Sequence, residues 1–244
     1  MDEALELGLY LPVSYKSPAE QEYIAFLWDA FETNYTHGKY QFAFLAYHML
    51  TMSFVYFNIW QIRQARPADF EKALIGFGKD IEKSLLEATS PFVFSSVNER
   101  TMLRFFKLIA CDNGKIGTYA KLVDDRNKSA HSNGLIFYST QAALDNKITE
   151  VLRVVEEIQS HSTPVIEHAF REFLNQNHDI EEREYPDATD QIREVLIHAN
   201  YFSQKDIDTC LVFEISTFAD HADSEPIRDL FDTFRDTYQS ELED

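Results

Sequence analysis

Residues 40–64 read YQFAFLAYHMLTMSFVYFNIWQIRQ, a stretch with no acidic residue and a single arginine, Arg63. Neither Gly nor Pro interrupts it, and apolar side chains fall on most sides of a 3.6-residue helix, the pattern of an element surrounded by protein. A bilayer span has a similar length. Gln41, His48, Asn58 and Gln61 within the run, and the absence of a Lys/Arg cluster beside it, favour a buried core helix, so no membrane contact is expected. The whole chain has 244 residues, 45% of them apolar, enough for a sizeable core. Seven glycines and seven prolines supply too little turn chemistry for a β-sandwich, which makes the expected fold class all-α.

Helix signals extend outward from this run in both directions. Ser17-Pro18-Ala19-Glu20 combines an N-cap, a proline at the first helical position and an acid in the first turn, predicting a helix from Pro18 to Tyr35. On the other side, helices are predicted over Pro67–Glu87 and Ser96–Cys111, and a fifth carries Tyr119, Leu122 and Val123 toward an Asn133-Gly134 turn. Thr140–Gln159 follows, and Pro164 is read as the start of a separate helix reaching Asn175. Beyond a connector at Glu181–Glu184, three more helices are expected over Asp187–His198, Ser203–Phe218 and Ser224–Leu242, capped by Ser203 and Ser224. Residues 1–177 thus read as a helical bundle, and residues 178–244 as a helical region packed on it.

Charge is distributed unevenly. The chain has 41 acidic and 22 basic side chains, net −19, which argues against a nonspecific nucleic-acid coat. Residues 178–244 hold 19 acidic and 5 basic groups, net −14, and residues 1–177 hold 22 and 17, net −5. From Arg100 to His131 the sign reverses. Arg100, Arg104, Lys107, Lys115, Lys121, Arg126 and Lys128 face only Asp112, Asp124 and Asp125, net +4. Arg100, Arg104 and Lys107, spaced i, i+4, i+7, share one face of the predicted helix. This island is where RNA would be drawn, with Arg100, Arg104, Lys107, Lys121 and Lys128 as candidate phosphate contacts.

Cys111 and Cys210 are far apart and form no CxxC motif, and the N-terminus MDEALELG lacks the order of a signal peptide, so a reducing, cytoplasmic location is expected. The glycine-rich nucleotide loops, the serine-hydrolase elbow and the HExxH zinc motif do not occur. Glu194 and His198, at i, i+4, lack a third ligand, and neither metal nor cofactor is expected.

Asp124-Asp125-Arg126-Asn127-Lys128-Ser129-Ala130-His131 is the segment with the most chemistry. An imidazole can take a proton from a ribose 2′-hydroxyl or give one to a leaving oxygen, and a guanidinium can stabilise a phosphorane-like transition state without metal. Arg126, Asn127 and His131 are the candidate catalytic residues, with Asn127 orienting the other two. Five residues on an ideal helix turn about 500°, leaving Arg126 and His131 about 140° apart. Either the helix ends between them, or two copies of the chain pool their residues across a symmetric dimer.

Arg126-Asn127 followed by His131, late in an all-helical chain with a long apolar second helix, resembles the HEPN superfamily of nucleotide-binding helical domains. The resemblance covers residues 18–177. It implies an up-and-down helical bundle of HEPN type, extended here by the C-terminal helices. It also implies a homodimer whose paired Arg/His motifs form a metal-independent endoribonuclease, serving as a toxin or phage-defence effector with an antitoxin or defence-system partner. Family members silenced by nucleotidyltransferase antitoxins carry a tyrosine two positions after the histidine, and this chain has Asn133 there, which puts that route of control in doubt.

Structural readings compete with these. Arg126 could pair with Asp124 or Asp125 while His131 caps a helix end. The protein would then be a non-catalytic helical interaction protein whose acidic region after His178 docks a basic partner. If the chain is a nuclease, the same acidic helices are expected to screen its cleft.

Overall fold

The computed structural model describes residues 1–131 and 134–239. Asn133 lies outside them, and with it the Asn133-Gly134 turn and the comparison with the family's tyrosine; so does the end of the helix expected to reach Leu242.

The apolar run forms one helix, and the other elements are arranged about it. After α1 (Asp2–Leu5) and a 3-10 turn over Glu6–Tyr10, helix α2 (Pro18–Thr36) starts where Ser17 accepts a hydrogen bond from the Ala19 amide. The chain reverses at Gly38, whose φ of 69° is in the left-handed region that favours glycine. Helix α3 (Tyr40–Ala65) then returns along α2. Among the described helices, α3 is long and apolar enough to cross a bilayer, but 83% of its most apolar window is buried inside the protein, so its apolar surface is already covered.

Short helices α4 (Pro67–Ala73), α5 (Lys79–Leu86) and α6 (Glu99–Leu103) lead to α7 (Asn113–Ala130) and α8 (Gln141–Asn177). The C-terminal part comprises α9 (Ala188–Gln191), a π-helical stretch over Ile192–His198, α10 (Gln204–Leu211) and α11 (Ser224–Tyr238). The described residues form no strand, only an isolated bridge between Pro12 and Ser203. The fold is all-α.

Several predicted helices are divided or joined differently. The helix expected over Pro67–Glu87 breaks into α4 and α5 around Gly76, whose φ of 99° L-residues rarely adopt. The one expected over Ser96–Cys111 tightens into a 3-10 helix at Arg104–Ile109. That expected over Ser203–Phe218 ends at Leu211, and Ser224 begins α11 without capping it. Pro164, expected to start a helix, is inside α8. A proline there removes one backbone bond and costs about 3 kcal/mol in an ordinary helix interior. Pro164 is on the exposed face, as is Ser160, whose carbonyl loses its partner and can turn to water. Buried Ile158, Ser162, Val165 and Ile166 anchor the helix on both sides of it, and each large apolar side chain contributes about 1.5–3 kcal/mol.

Helix α8 serves two cores. Its first two thirds, to Val165, pack with α2, α3 and α7 into the larger core, and Ile166, Phe170, Phe173 and Leu174 belong to a second core with α10 and α11. The region after His178 is therefore built on the end of α8. A buried polar cluster ties it to the bundle. The Asp206 carboxylate accepts from Gln61 Nε2 (2.9 Å), Gln159 Nε2 (2.7 Å), the Ser203 amide (2.8 Å) and the Ser203 hydroxyl (2.9 Å). Burial pushes its pKa up, and these donors pull in the other direction. Asp206→Ala strands several buried donors and is expected to cost about 3–5 kcal/mol in a urea unfolding titration, with Asp206→Asn costing less. A loss under about 1 kcal/mol for the alanine variant would show that the cluster does not hold the two cores together.

Candidate functional site

Helix α7 presents the motif. Asp112 caps it, accepting from the Lys115 amide at 2.9 Å, and Tyr119, Leu122, Val123 and Ser129 form its buried side. It ends at Ala130. His131 is already extended, with ψ at 143°, its amide bonded to the Asn127 carbonyl at 3.2 Å and its side chain exposed. Of the two arrangements the sequence left open, the helix end does fall between Arg126 and His131. Among the described residues no hydrogen bond or ion pair joins them.

Arg126 turns to Glu99, with Nη2 to Oε2 at 2.5 Å. The same Glu99 oxygen meets His48 Nε2 from α3 at 3.2 Å. His48 is 3% exposed and Glu99 20%, so the pair is largely shielded from water. Burial acts to raise the Glu99 pKa, but His48 and then Arg126 outweigh it and hold the carboxyl below its ordinary range. Arg126 thus pairs with neither Asp124 nor Asp125. Its partner, Glu99, directly precedes the basic stretch Arg100–His131. Asn127, one step round α7, is half-buried.

Arg126 and Glu99 border a cavity of about 990 Å³. Its floor holds a second carboxylate, Glu20, 6% exposed, which accepts from Ser90 Oγ at 2.5 Å and from the Tyr201 hydroxyl at 3.1 and 3.0 Å. Burial and the adjacent Glu20 push the Tyr201 pKa up, so its proton stays in place and Tyr201 is the donor. Lys16 is 5.2 Å from the ring centres of both Trp60 and Tyr201. Among the described residues Tyr201 is the one cavity residue from beyond His178, so the C-terminal region reaches the site through an aromatic side chain.

The other basic residues are dispersed. Arg100 pairs with Asp124, Lys128 with Asp125 (3.5 Å) and Lys115 with Glu157 (2.7 Å). Asp125 is also held by Lys147 at 2.5 Å. The expected common face of Arg100, Arg104 and Lys107 is divided by the change of helix type. Three residues make one 3-10 turn, so Arg104 and Lys107 stay together on a separate groove of about 430 Å³, while Arg100 reaches toward α7. Lys121 lies on a third surface, beside Arg153. Arg104, Lys107 and Lys121 make no ion pair among the described residues. Glu194 pairs with Arg193 at 2.9 Å, and His198 Nδ1 meets Ser14 Oγ at 3.3 Å.

No family model, curated protein or solved structure matches the chain. What the site does therefore has to be argued from its own geometry.

Glu99→Gln is expected to cost about 1–3 kcal/mol at pH 7, because His48 and Arg126 lose a shared acceptor. The Glu99 pKa is lowered on folding, so its contribution is present above the unfolded value of about 4.3 and is lost as pH falls through the folded value. The stability gap between wild type and variant should begin to shrink as pH falls past about 4.3. A gap equally large at pH 7 and pH 3.5 would contradict the assigned contact.

Proposed function

We propose that the chain is a metal-independent endoribonuclease of HEPN type that works as a homodimer, with Arg126, Asn127 and His131 of two copies forming one cleft. The observation that carries this reading is the end of α7, where Arg126 and Asn127 occupy the last helical turns and the His131 imidazole stands in solvent just beyond them. An exposed imidazole is free to exchange protons with a bound strand. Next to it, Leu135, Ile136 and Phe137 are 62%, 73% and 37% exposed. Gln41, bonded to the Phe137 amide (2.9 Å) and the Ser129 carbonyl (2.8 Å), brings the 60% exposed Phe42 to the same end. Contiguous exposed apolar residues mark an interaction surface, and a second copy docked there would set two motifs side by side.

In the reaction the ribose 2′-oxygen attacks the adjacent phosphorus and the bond to the 5′-oxygen breaks. His131 takes the 2′-hydroxyl proton while water protonates the leaving 5′-oxygen, or supplies that second proton while water takes the first, and Arg126 balances the charge on the phosphorane. Asn127 orients them. For Arg126 to reach phosphate, the ligand must replace Glu99, which His48 then retains. Arg104, Lys107 and Lys121 need no such exchange, but they lie on two other surfaces and meet only a strand that runs beyond the cleft; Arg100 and Lys128 would leave Asp124 and Asp125. In keeping with the resemblance, we place the enzyme among cytoplasmic toxins or phage-defence effectors, held in check by an antitoxin or defence-system partner.

The alternative, a non-catalytic interaction protein using its acidic region to bind a basic partner, draws on one observation: Arg126 is already paired. Deleting residues 180–244 is a poor test of it, because Phe170, Phe173 and Leu174 of α8 would lose their covering helices.

The purified protein in EDTA should cut single-stranded RNA to fragments with 2′,3′-cyclic phosphate ends. His131→Ala should lower the rate at least about 100-fold without moving the melting temperature. RNA left whole by the wild type, or an undiminished rate in the variant, would contradict the proposal. Ile136→Glu should yield monomers by sedimentation and lose cleavage; a cleaving monomer would rule out the shared cleft.

A further inference from the structure

Cleavage by a 2′-oxygen moves two protons, one off the attacking hydroxyl and one onto the leaving 5′-oxygen, and the two oxygens lie roughly in line on opposite sides of the phosphorus. One imidazole serves one side. The other side needs an acceptor, and the carboxylates around Arg126 differ in what they can still accept. Glu20, 6% exposed, has Ser90 on Oε1 and the Tyr201 hydroxyl across both oxygens. Asp125 is taken at one oxygen by Lys128 and at the other by Lys147, and Asp124 is turned to Arg100. Glu99 is different. His48 and Arg126 both meet its Oε2, and among the described residues no hydrogen bond is made to Oε1.

We propose that Glu99 is the general base of the cleavage, taking the 2′-hydroxyl proton, while His131 is the general acid at the leaving 5′-oxygen. The inference rests on the reading of the chain as a ribonuclease, and it puts a residue in the place of the water in that mechanism. The bond from the 2′-oxygen to phosphorus forms as the bond to the 5′-oxygen breaks. The proton of the 2′-hydroxyl ends on the Glu99 carboxylate, and the proton of the His131 imidazolium ends on the new 5′-hydroxyl. After the products leave, Glu99 returns its proton to water and His131 takes one up.

The geometry puts this base where the phosphate arrives. Arg126 Nη2 is 2.5 Å from Glu99 Oε2, so a phosphate oxygen that replaces the carboxylate on the guanidinium has Glu99 as its neighbour. In a linkage ready to react the 2′-oxygen is about 3–3.5 Å from the phosphorus. The cavity of about 990 Å³ that both residues border has room for the ribose. His48, 3% exposed, holds Glu99 from the core side and keeps it there when Arg126 leaves. The titratable and charged groups facing Glu99 are His48 and Tyr56 of α3 and Arg126 of α7; Arg104 and Lys107 of the following 3-10 turn line their own groove. Burial acts to raise the Glu99 pKa, and His48 and then Arg126 hold it down, so the carboxylate is ionised at neutral pH. Transfer of Arg126 to phosphate removes one of these two restraints, and Glu99 becomes a stronger base as the substrate binds.

The test compares ordinary RNA with RNA in which sulfur replaces the leaving 5′-oxygen at the cleaved linkage, because a thiolate leaves without being protonated. His131→Ala should lose about 100-fold or more on ordinary RNA and recover to within about tenfold of wild type on the sulfur linkage. Glu99→Gln should lose about 100-fold on both. Should Glu99→Gln melt early, Glu99→Asp, which keeps the charge and draws the carboxylate back by one methylene, takes its place and should also slow both linkages alike. Glu99→Gln that cuts as fast as wild type, or faster, would show that Glu99 only masks Arg126 and would overturn the base while the nuclease reading stands. His131→Ala that stays equally slow on the sulfur linkage would make His131 the base, with the same consequence. RNA of both kinds left whole by the wild type overturns the nuclease reading and the base with it.

Discussion

A helix that is apolar on most sides can be buried only if its few polar groups find partners, because a stranded buried donor or acceptor costs about 1–3 kcal/mol. On helix α3 the buried Thr51 and Ser53 donate back to carbonyls of the helix itself, and four further polar residues are each matched by a different part of the chain. Gln41 bridges the end of α7 and the Phe137 amide, His48 meets Glu99 of α6, Asn58 accepts from Ser162 of α8 (2.6 Å), and Gln61 donates to Asp206 of α10. A one-residue slip would turn α3 by about 100° and undo all four at once. The satisfaction is incomplete at Trp60 Nε1 and Gln61 Oε1, which have no partner among the described residues. Arg63 and Lys16 lie over the Trp60 ring, at 4.9 and 5.2 Å from its centre.

These contacts also place the candidate site. His48 holds Glu99, and Glu99 takes hold of Arg126, so the guanidinium is kept at the cavity edge by the same helix that organises the core. At the other end of α3, Gln61 joins Gln159 on Asp206, and that cluster sits beside the Tyr201 turn whose side chain floors the cavity. The acidic C-terminal region thus contributes shape and one hydroxyl to the site. Among the described residues of a single chain Arg126 is engaged and the His131 side chain is not, an arrangement that makes sense of the motif if each works with the residue of a second copy.

The helices with local signals were legible in the sequence. Ser17-Pro18 marked the start of α2, and the uninterrupted apolar run marked α3. Pro164 and the Arg104–Ile109 segment were not, because each local preference gives way to burial on both sides. Charge was the least transferable reading. The net +4 of residues 100–131 is a sum along the chain, whereas Arg126, Lys115 and Asp125 are paired with Glu99, Glu157 and Lys147, which lie outside that stretch. His48 was visible as a polar interruption, but the partner that gives it a role is 51 positions away.

If Arg126 of one copy serves His131 of another, two inactive proteins should repair each other. Mixing Arg126→Ala with His131→Ala under conditions that allow subunits to exchange produces heterodimers whose shared cleft keeps one wild-type Arg126 and one wild-type His131, each from a different copy. Their RNA cleavage, measured against each variant alone, should recover to a substantial fraction of the wild-type rate. A mixture as inactive as its two components, with exchange confirmed, would contradict the shared cleft.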